Sequence, residues 1–238
     1  MPMEPIEITH GGKRLVGQIA TPAGKGPFPV VMVMHSGIGI NDFNFDCARQ
    51  MADRGFIGIA TDMFGADVDL TREEGYGAAF QSLIDAPDTL RSRVIAWFEA
   101  IAARDDVDAS RIAAIGYCFG GYCVLELARS GANCRAVVSY HGLLSTSTRA
   151  QPGAVKAHVA AYCGARDPYA PLEHIDALRG ELTAAGASHT ITIFSDAEHG
   201  FTDPDAAKIG RPGIAYNAIA AKTSWAGTLA LLDEVLAP

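Results

Sequence analysis

The chemistry that this sequence could perform centres on one cysteine, in the segment Gly116-Tyr117-Cys118-Phe119-Gly120-Gly121. A cysteine so placed could fill the core, bind a metal, belong to a redox pair or act as a nucleophile. The segment follows the largely apolar run 111–115 and precedes a helical pattern, so it lies on a strand-to-helix turn. Such a turn is strained and exposes a nucleophile above the sheet, and the helix N-terminus favours the thiolate. We therefore interpret Cys118 as a nucleophile, with core packing as the alternative, and the Phe119 N–H as an oxyanion donor.

A thiol nucleophile needs a base, and the base needs a carboxylate that orients it. Asp167 follows the predicted strand 157–163, and His199 follows the predicted strand 189–194. Both therefore lie at the same edge of the sheet as Cys118, in the chain order nucleophile, acid, histidine that accompanies elbows of this type. We interpret His199 as the base and Asp167 as its orienter. In the plainer interpretation Asp167, which precedes a proline, only forms a turn.

Other side chains compete for these two roles. Asp196 and Glu198 stand closer to His199 along the chain, but residues so near in sequence rarely point toward the imidazole. Only His199 comes last in the chain order and stands beside a glycine that would let a ligand approach. Two of the other histidines end predicted strands and could line the pocket, namely His35 and His141; the remaining four are His10, His158, His174 and His189.

The second oxyanion donor is expected in the loop 35–42, which follows the predicted strand 30–34. The loop reads His-Ser-Gly-Ile-Gly-Ile-Asn-Asp, and its glycines let backbone N–H groups face a ligand. We predict Gly37 as the donor and place Ser36 beside it in the substrate-binding region. The glycine spacing does not match a dinucleotide-binding or phosphate-binding loop, so the alternative is a plain glycine-rich connection.

The elements that must position these residues alternate between strand and helix. Residues 4–21 predict a β-hairpin that turns at His10-Gly11-Gly12. Short apolar runs predict further strands, and helical periodicity predicts helices between them. The predicted strands are 30–34, 56–60, 112–115, 136–140, 157–163 and 189–194, and the predicted helices are 42–54, 88–104, 119–130, 171–185 and 214–236. This alternation specifies an α/β fold, with a mostly parallel, doubly wound sheet and helices on both faces. Residues 66–86 indicate a polar segment that crosses over the top of the sheet and is partly helical, and we expect segments 64–86 and 200–213 to cover the site.

Length and composition limit the classes of protein to which the chain can belong. Its 238 residues suit a single domain over 1–238, and 49% hydrophobic residues can form a full core. The net charge of −8 argues against nucleic acid or an anionic membrane surface as a partner. No apolar run is long enough to span a membrane, and the N-terminus lacks the pattern of a secretion signal. We expect a monomer or a small homo-oligomer that acts on a small molecule.

The cysteine pattern bears on metals and on the cellular compartment. The five cysteines include no Cys-x-x-Cys pair, which argues against a zinc site or a disulfide scaffold and favours a reducing cytoplasm. We predict that Cys47, Cys134 and Cys163 are core residues and that Cys123 lies on the helix that follows Cys118.

The sequence resembles the dienelactone hydrolase family of the α/β-hydrolase superfamily, from about Ile19 to the final helix. The resemblance rests on the segments VVMVMHSGIGIND, GFIGIATDMFG, RIAAIGYCFGGYCVLELA, AAYCGARDPYAP, DAEHGF and YNAIAAKTSWAGTLALLDEVL. It implies the α/β-hydrolase fold, a triad of Cys118, Asp167 and His199, and oxyanion donors at Phe119 and Gly37. It also implies a hydrolase that cleaves a lactone or an activated carboxylic ester through an acyl-cysteine, without a metal or a cofactor.

Two positions depart from the family pattern. Ser36 stands where characterised members have a glutamate that interacts with the resting cysteine, and 201–203 read Phe-Thr-Asp where they carry an arginine for the substrate carboxylate. Arg72, Arg166 or Arg211 could hold an anion instead, although surface solvation is the plainer interpretation of each. Two other functions stay open: a thioesterase or acyltransferase that uses the same triad, and a non-catalytic, ligand-binding or redox-responsive relative.

Overall fold

The computed structural model describes residues 2–237 and contains one eight-stranded sheet. The strands are β1 (Glu4–His10), β2 (Lys13–Ala20), β3 (Phe28–Met34), β4 (Ile57–Thr61), β5 (Val107–Tyr117), β6 (Ala136–Tyr140), β7 (His158–Gly164) and β8 (His189–Phe194). The helices are α1 (Asp42–Asp53), α2 (Glu73–Ile84), α3 (Pro87–Ala102), α4 (Phe119–Arg129), α5 (Leu172–Ala184) and α6 (Ala218–Val235), and a short 3₁₀ turn spans Ala206–Ile209.

The strand order is β1-β2-β4-β3-β5-β6-β7-β8. Strand β2 pairs antiparallel with β1 and β4, and the remaining neighbours pair in parallel. The central strands are buried on both faces, which explains why they appear in the sequence as unbroken apolar runs. In β3, Val30, Met32 and Met34 pack on one face, whereas Val31 and Val33 pack on the other. Helices α3, α4 and α5 cover the first face, and α1 and α6 cover the second. The predicted doubly wound α/β fold is therefore confirmed.

Three elements differ from the sequence prediction. Strand β5 begins at Val107 because that residue pairs with Phe28, although the mostly polar sequence of 108–111 does not indicate a strand. The segment 66–86 contains the regular helix α2. Helix α6 begins at Ala218 and not at residue 214, since the chain before it bridges to the segment around His199 and Asn217 then caps the helix.

The carboxyl ends of the parallel strands position the loops that carry the predicted site residues. These loops follow β3, β5, β7 and β8, and they meet at one edge of the sheet, where ligands bind in open α/β folds. Within residues 2–237, no helix combines the length and the apolar character needed to cross a bilayer.

Candidate active site

Cys118 stands at the tight turn between β5 and α4. Its φ of 54° and ψ of −112° lie outside the regions that L-residues favour, so the turn is strained. A Cβ added to Gly116 would lie 2.0 Å from the Gly120 carbonyl oxygen, and one added to Gly120 would lie 2.3 Å from the Met34 carbonyl oxygen. The turn thus requires glycine on both sides of the cysteine. Cys118 as a residue remains partly exposed, unlike the other four cysteines.

His199 and Asp167 form a buried pair at the same edge. The His199 Nδ1–H donates to Asp167 Oδ2 at 2.8 Å, which leaves Nε2 as the ring nitrogen available for other chemistry. Asp167 Oδ1 accepts the N–H groups of Tyr169 and Ala170 at 2.8 and 3.2 Å, so the carboxylate is fixed by its own loop. The two alternative orienters, Asp196 and Glu198, make no hydrogen bond to His199 in the part of the chain that the structure describes.

The proton affinities of the thiol and the imidazole shift in opposite directions. Burial by itself raises the pKa of the Cys118 thiol, but the charge and hydrogen bonding of His199 and the nearby N–H groups of Gly37 and Phe119 outweigh it, and the pKa is lowered. Burial lowers the pKa of His199, but the Cys118 thiolate and Asp167 raise it to about 10. The structure therefore brings Cys118, His199 and Asp167 together, with both backbone donors beside the sulfur, in an arrangement that favours a thiolate–imidazolium pair.

The other four cysteines have the opposite properties. All four are buried, as predicted, and none forms a disulfide. Burial raises the pKa of Cys47 to about 11, raises the pKa values of Cys134 and Cys163 to about 12, and raises that of Cys123 well above its usual value. Cys118 is the one cysteine within residues 2–237 whose thiolate is favoured.

The loop after β3 is held by His35, a role that the sequence analysis missed. The His35 Nδ1–H donates to the Ser36 carbonyl at 2.6 Å, and Nε2 accepts the Met63 N–H at 3.0 Å. The ring is fully buried and stacks on Phe119 with centroids 5.9 Å apart. Burial lowers the pKa of His35, which keeps the ring neutral and able both to donate and to accept. A histidine directly after a buried strand was the available signal, but its partner Met63 lies on another loop.

Ser36 contributes through its backbone. Its carbonyl accepts from the His35 ring and from the Gly39 N–H, at 2.6 and 3.1 Å. Within residues 2–237 its hydroxyl makes no hydrogen bond, and the place of the Ser36 side chain in the substrate-binding region stays a prediction.

His141 packs beside His199 at the same edge of the sheet. It lies at a φ of 38°, and its ring meets the His199 ring edge-on with centroids 5.1 Å apart. Its Nε2 hydrogen-bonds with Thr202 Oγ1 at 2.8 Å. Burial and the nearby charge of His199 keep the pKa of His141 well below its usual value. His141 is therefore uncharged, and it lies beside His199 at the edge of the sheet where we expected that it could line the pocket.

The segments 64–86 and 200–213, hereafter the covering segments, flank this edge. Phe80 of α2 packs against the Gly37 backbone and lies 5.5 Å from the Phe119 ring, centroid to centroid. Arg211 Nη2 donates to Glu73 Oε1 at 2.5 Å, which joins one covering segment to the other. No three His, Cys, Asp or Glu side chains in the described chain are grouped as metal ligands would be.

Comparison with known proteins places this geometry in context. The sequence profile of the Dienelactone hydrolase family matches residues 15–236. A solved dienelactone hydrolase-like promiscuous phosphotriesterase from metagenomic libraries shares 34% identity, with a TM-score of 0.91 and 98% coverage of each chain. A candidate 2-oxo-3-(5-oxofuran-2-ylidene)propanoate lactonase of Bradyrhizobium sp is 27% identical over 97% of this chain and 93% of its own. A candidate carboxymethylenebutenolidase of Yersinia pestis is 27% identical over 82% of this chain and 76% of its own.

Proposed function

Since the chain belongs to the dienelactone hydrolase family, and is therefore a hydrolase of lactones or carboxylic esters, we propose that Cys118, His199 and Asp167 act as its catalytic triad. Catalysis proceeds through an acyl-cysteine intermediate, and the substrate is a lactone or an activated ester. The observation that carries this proposal is the convergence of the three side chains with two backbone donors at one strained turn.

Acylation begins from the thiolate–imidazolium pair. The Cys118 sulfur attacks the substrate carbonyl, and the N–H groups of Gly37 and Phe119 stabilise the oxyanion; losing one such donor typically costs about 3–4 kcal/mol of transition-state stabilisation. His199 then gives its proton to the departing alkoxide or enolate oxygen as the C–O bond breaks. Asp167 holds the ring so that Nε2 faces the reacting atoms throughout.

Deacylation returns the site to its starting state. The neutral His199 takes a proton from water, and the resulting hydroxide attacks the thioester carbonyl of acyl-Cys118. The same two N–H groups hold the second oxyanion. Collapse breaks the C–S bond, releases the carboxylic acid product and leaves the thiolate beside the imidazolium.

Alkylation tests the resting ion pair. We expect iodoacetamide to modify Cys118 alone at neutral pH, because burial raises the pKa values of the other four thiols. Because the pKa of Cys118 is lowered, the rate of alkylation should reach its plateau at a pH below the usual thiol pKa of 9.0. The rate should fall only when the pH drops through this lowered pKa. Hydrolysis should instead decline as pH rises through about 10, where His199 loses the proton that the leaving group needs.

The control for this titration is His199→Gln. Without the imidazolium, the inflection for alkylation should move upward, and peptide mass mapping should still place the label on Cys118. Modification of another cysteine at neutral pH, or an inflection that His199→Gln leaves unchanged, contradicts the ion pair. Loss of hydrolysis should follow the labelled fraction of Cys118.

His35 is proposed as a positioning residue for the Gly37 donor. His35→Phe keeps the stacked ring but leaves the Met63 N–H unpaired and leaves the Ser36 carbonyl with only its bond from the Gly39 N–H. We expect kcat to fall by about 10- to 100-fold with little change in KM, because an oxyanion donor is misplaced, and the free energy of unfolding to fall by about 1–3 kcal/mol. His35→Asn can still donate to Ser36 and should recover part of kcat. If kcat falls only in proportion to the folded fraction of the protein, and His35→Asn does not restore it, His35 does not position the Gly37 donor.

The proposed hydrolase differs from a thioesterase or an acyltransferase in the substrate that supplies the acyl group and in the molecule that accepts it. A thioesterase or an acyltransferase would use the same three side chains, and a promiscuous phosphotriesterase is 34% identical in sequence. The test is turnover of a panel of enol lactones, aryl esters, acyl thioesters and a phosphotriester, with Cys118→Ala beside the native protein. Preference for thioesters, or for an added amine or alcohol over water, would favour the alternatives. Stoichiometric alkylation without any turnover would indicate a non-catalytic, redox-responsive relative.

The remaining proposals concern the molecule as a whole. One sheet takes all eight strands, from β1 to β8, and α6 packs against it, which supports one α/β-hydrolase domain over 1–238. Five free cysteines support a reducing, cytoplasmic location. The partner is a small ester or lactone, and the chain acts as a monomer or a small homo-oligomer.

A further inference from the structure

Apolar side chains lie against the loop after β3 and against the His199 ring. Leu70 packs against Gly39 of the loop after β3, and Phe80 packs against Gly37 of the same loop. The Tyr169 ring lies 4.8 Å from the His199 ring, centroid to centroid. Ile38 and Tyr169 are more than a third exposed, so apolar surface continues from the site to the outside.

The cations of the covering segments are already paired with carboxylates. Arg211 binds Glu73, Arg72 Nε lies 3.6 Å from Glu74 Oε2, and Lys208 Nζ lies 2.8 Å from Asp205 Oδ1. These are all the lysines and arginines of residues 64–86 and 200–213. A substrate carboxylate would therefore have to compete with a carboxylate that already lies beside each of these cations.

The same segments carry an excess of acid. They contain seven carboxylates, namely Asp67, Asp69, Asp85, Glu73, Glu74, Asp203 and Asp205, against three cations. The chain as a whole has a net charge of −8. A field of this sign lowers the local concentration of anionic substrates and slows their association.

One further cation is near the site in sequence. Arg166 directly precedes Asp167, is exposed, and forms no salt bridge within residues 2–237. An exposed guanidinium remains hydrated, so its contribution to holding a substrate carboxylate is small. Arg166 is nevertheless the cation that could bind a substrate carboxylate without first sharing a protein carboxylate.

The charge distribution points to a substrate class, and we propose that the site takes uncharged, apolar esters or lactones and discriminates against those that bear a carboxylate. This inference rests on the proposed function of the same site. A carboxylate placed against Leu70, Phe80 or Tyr169 would lose water without gaining a partner, which is costly. It would also approach against the negative field of the covering segments.

A matched pair of substrates isolates this effect. In 4-nitrophenyl hexanoate and mono-4-nitrophenyl adipate the leaving group and chain length are the same, and a terminal carboxylate replaces a methyl group. Each rate is divided by the rate of the same ester with free cysteine. We expect kcat/KM for the hexanoate to exceed that for the adipate by at least about 30-fold at low ionic strength, a ratio that narrows by about threefold in 0.3 M salt as screening increases.

Charge variants identify the source of the discrimination. Glu73→Gln removes one carboxylate and frees Arg211, so the adipate should gain several-fold in kcat/KM while the hexanoate changes little. Glu99→Gln removes the same charge from an exposed position on α3, outside the covering segments, and should alter the kcat/KM of neither ester. Equal or better turnover of the adipate at low salt overturns the inference, above all if Arg166→Ala abolishes that turnover. Turnover of both esters that survives Cys118→Ala would instead contradict the proposed function itself.

Discussion

Cys118→Ala should reduce kcat for lactones and esters by at least about 10⁴-fold, the scale at which removal of a catalytic nucleophile acts. The variant leaves the proposed oxyanion donors in place but removes the atom that we propose forms the covalent intermediate. The β-carbon is kept, so the strained backbone of the turn meets no new steric demand. The free energy of unfolding should therefore change little, and the loss should appear in kcat.

Cys123→Ala is the matched control, because it removes the same sulfur from a buried position on α4, four residues after Phe119. Its turnover should match that of the native protein after correction for any unfolded fraction. Steady-state kinetics on an activated ester, with thermal melts of both variants, provide the measurement. Retention of more than a tenth of kcat by Cys118→Ala excludes the cysteine as the nucleophile.

Asp167→Asn should lower kcat/KM by about 10³- to 10⁴-fold with little change in structure. The amide can still accept the N–H groups of Tyr169 and Ala170, but it no longer carries the negative charge that supports the imidazolium. An asparagine NH₂ facing Nδ1 also favours the wrong tautomer of His199. The pKa of His199 should fall from its raised value and the pKa of the Cys118 thiol should rise in turn.

Two nearby acids provide the controls for this substitution. Asp196→Asn and Glu198→Gln alter carboxylates that flank His199 in sequence without touching its ring. Both variants should retain most of the native kcat/KM, and their pH–rate profiles should keep the native inflections. A larger loss from Glu198→Gln than from Asp167→Asn would show that the orienting carboxylate has been assigned to the wrong residue.

The parts of the fold that were predictable depend on short-range constraints. Strands buried on both faces must be apolar along nearly their whole length, so β3, β4 and β6 could be recognised in the sequence as apolar runs. The turn at Cys118 needs glycine on each side because backbones nearly touch there. Asp167 and His199 could be identified because a parallel sheet directs every strand end to the same edge.

The parts that were not predictable depend on contacts between distant segments. Helix α2 buries a single residue, Leu83, and contains two glycines, so no apolar face marks it in the sequence. The start of α6 is delayed by pairing with the chain around His199, which local propensity cannot anticipate. The function of His35 depends on Met63, 28 residues away on another loop.

The departures from the family pattern have structural explanations in this chain. Phe201 is buried in the core beneath α6, Thr202 supports the His141 ring, and Asp203 accepts the Asp205 N–H at 2.8 Å to close a turn. The positions at which the resemblance implies an arginine for the substrate carboxylate are thus occupied by packing and turn residues. This use of the chain agrees with a preference for uncharged substrates.

The most direct test of the proposed mechanism is the mass of the intact protein after rapid acid quench of a single turnover, with enzyme in excess over an activated ester. We expect the protein mass to increase by one acyl group as the leaving group is released, with fragmentation placing the acyl group on Cys118. The adduct should decay as the free acid forms and should be absent from Cys118→Ala. Release of acid from a protein that stays unmodified throughout, or an acyl group on any other residue, would contradict the acyl-cysteine mechanism.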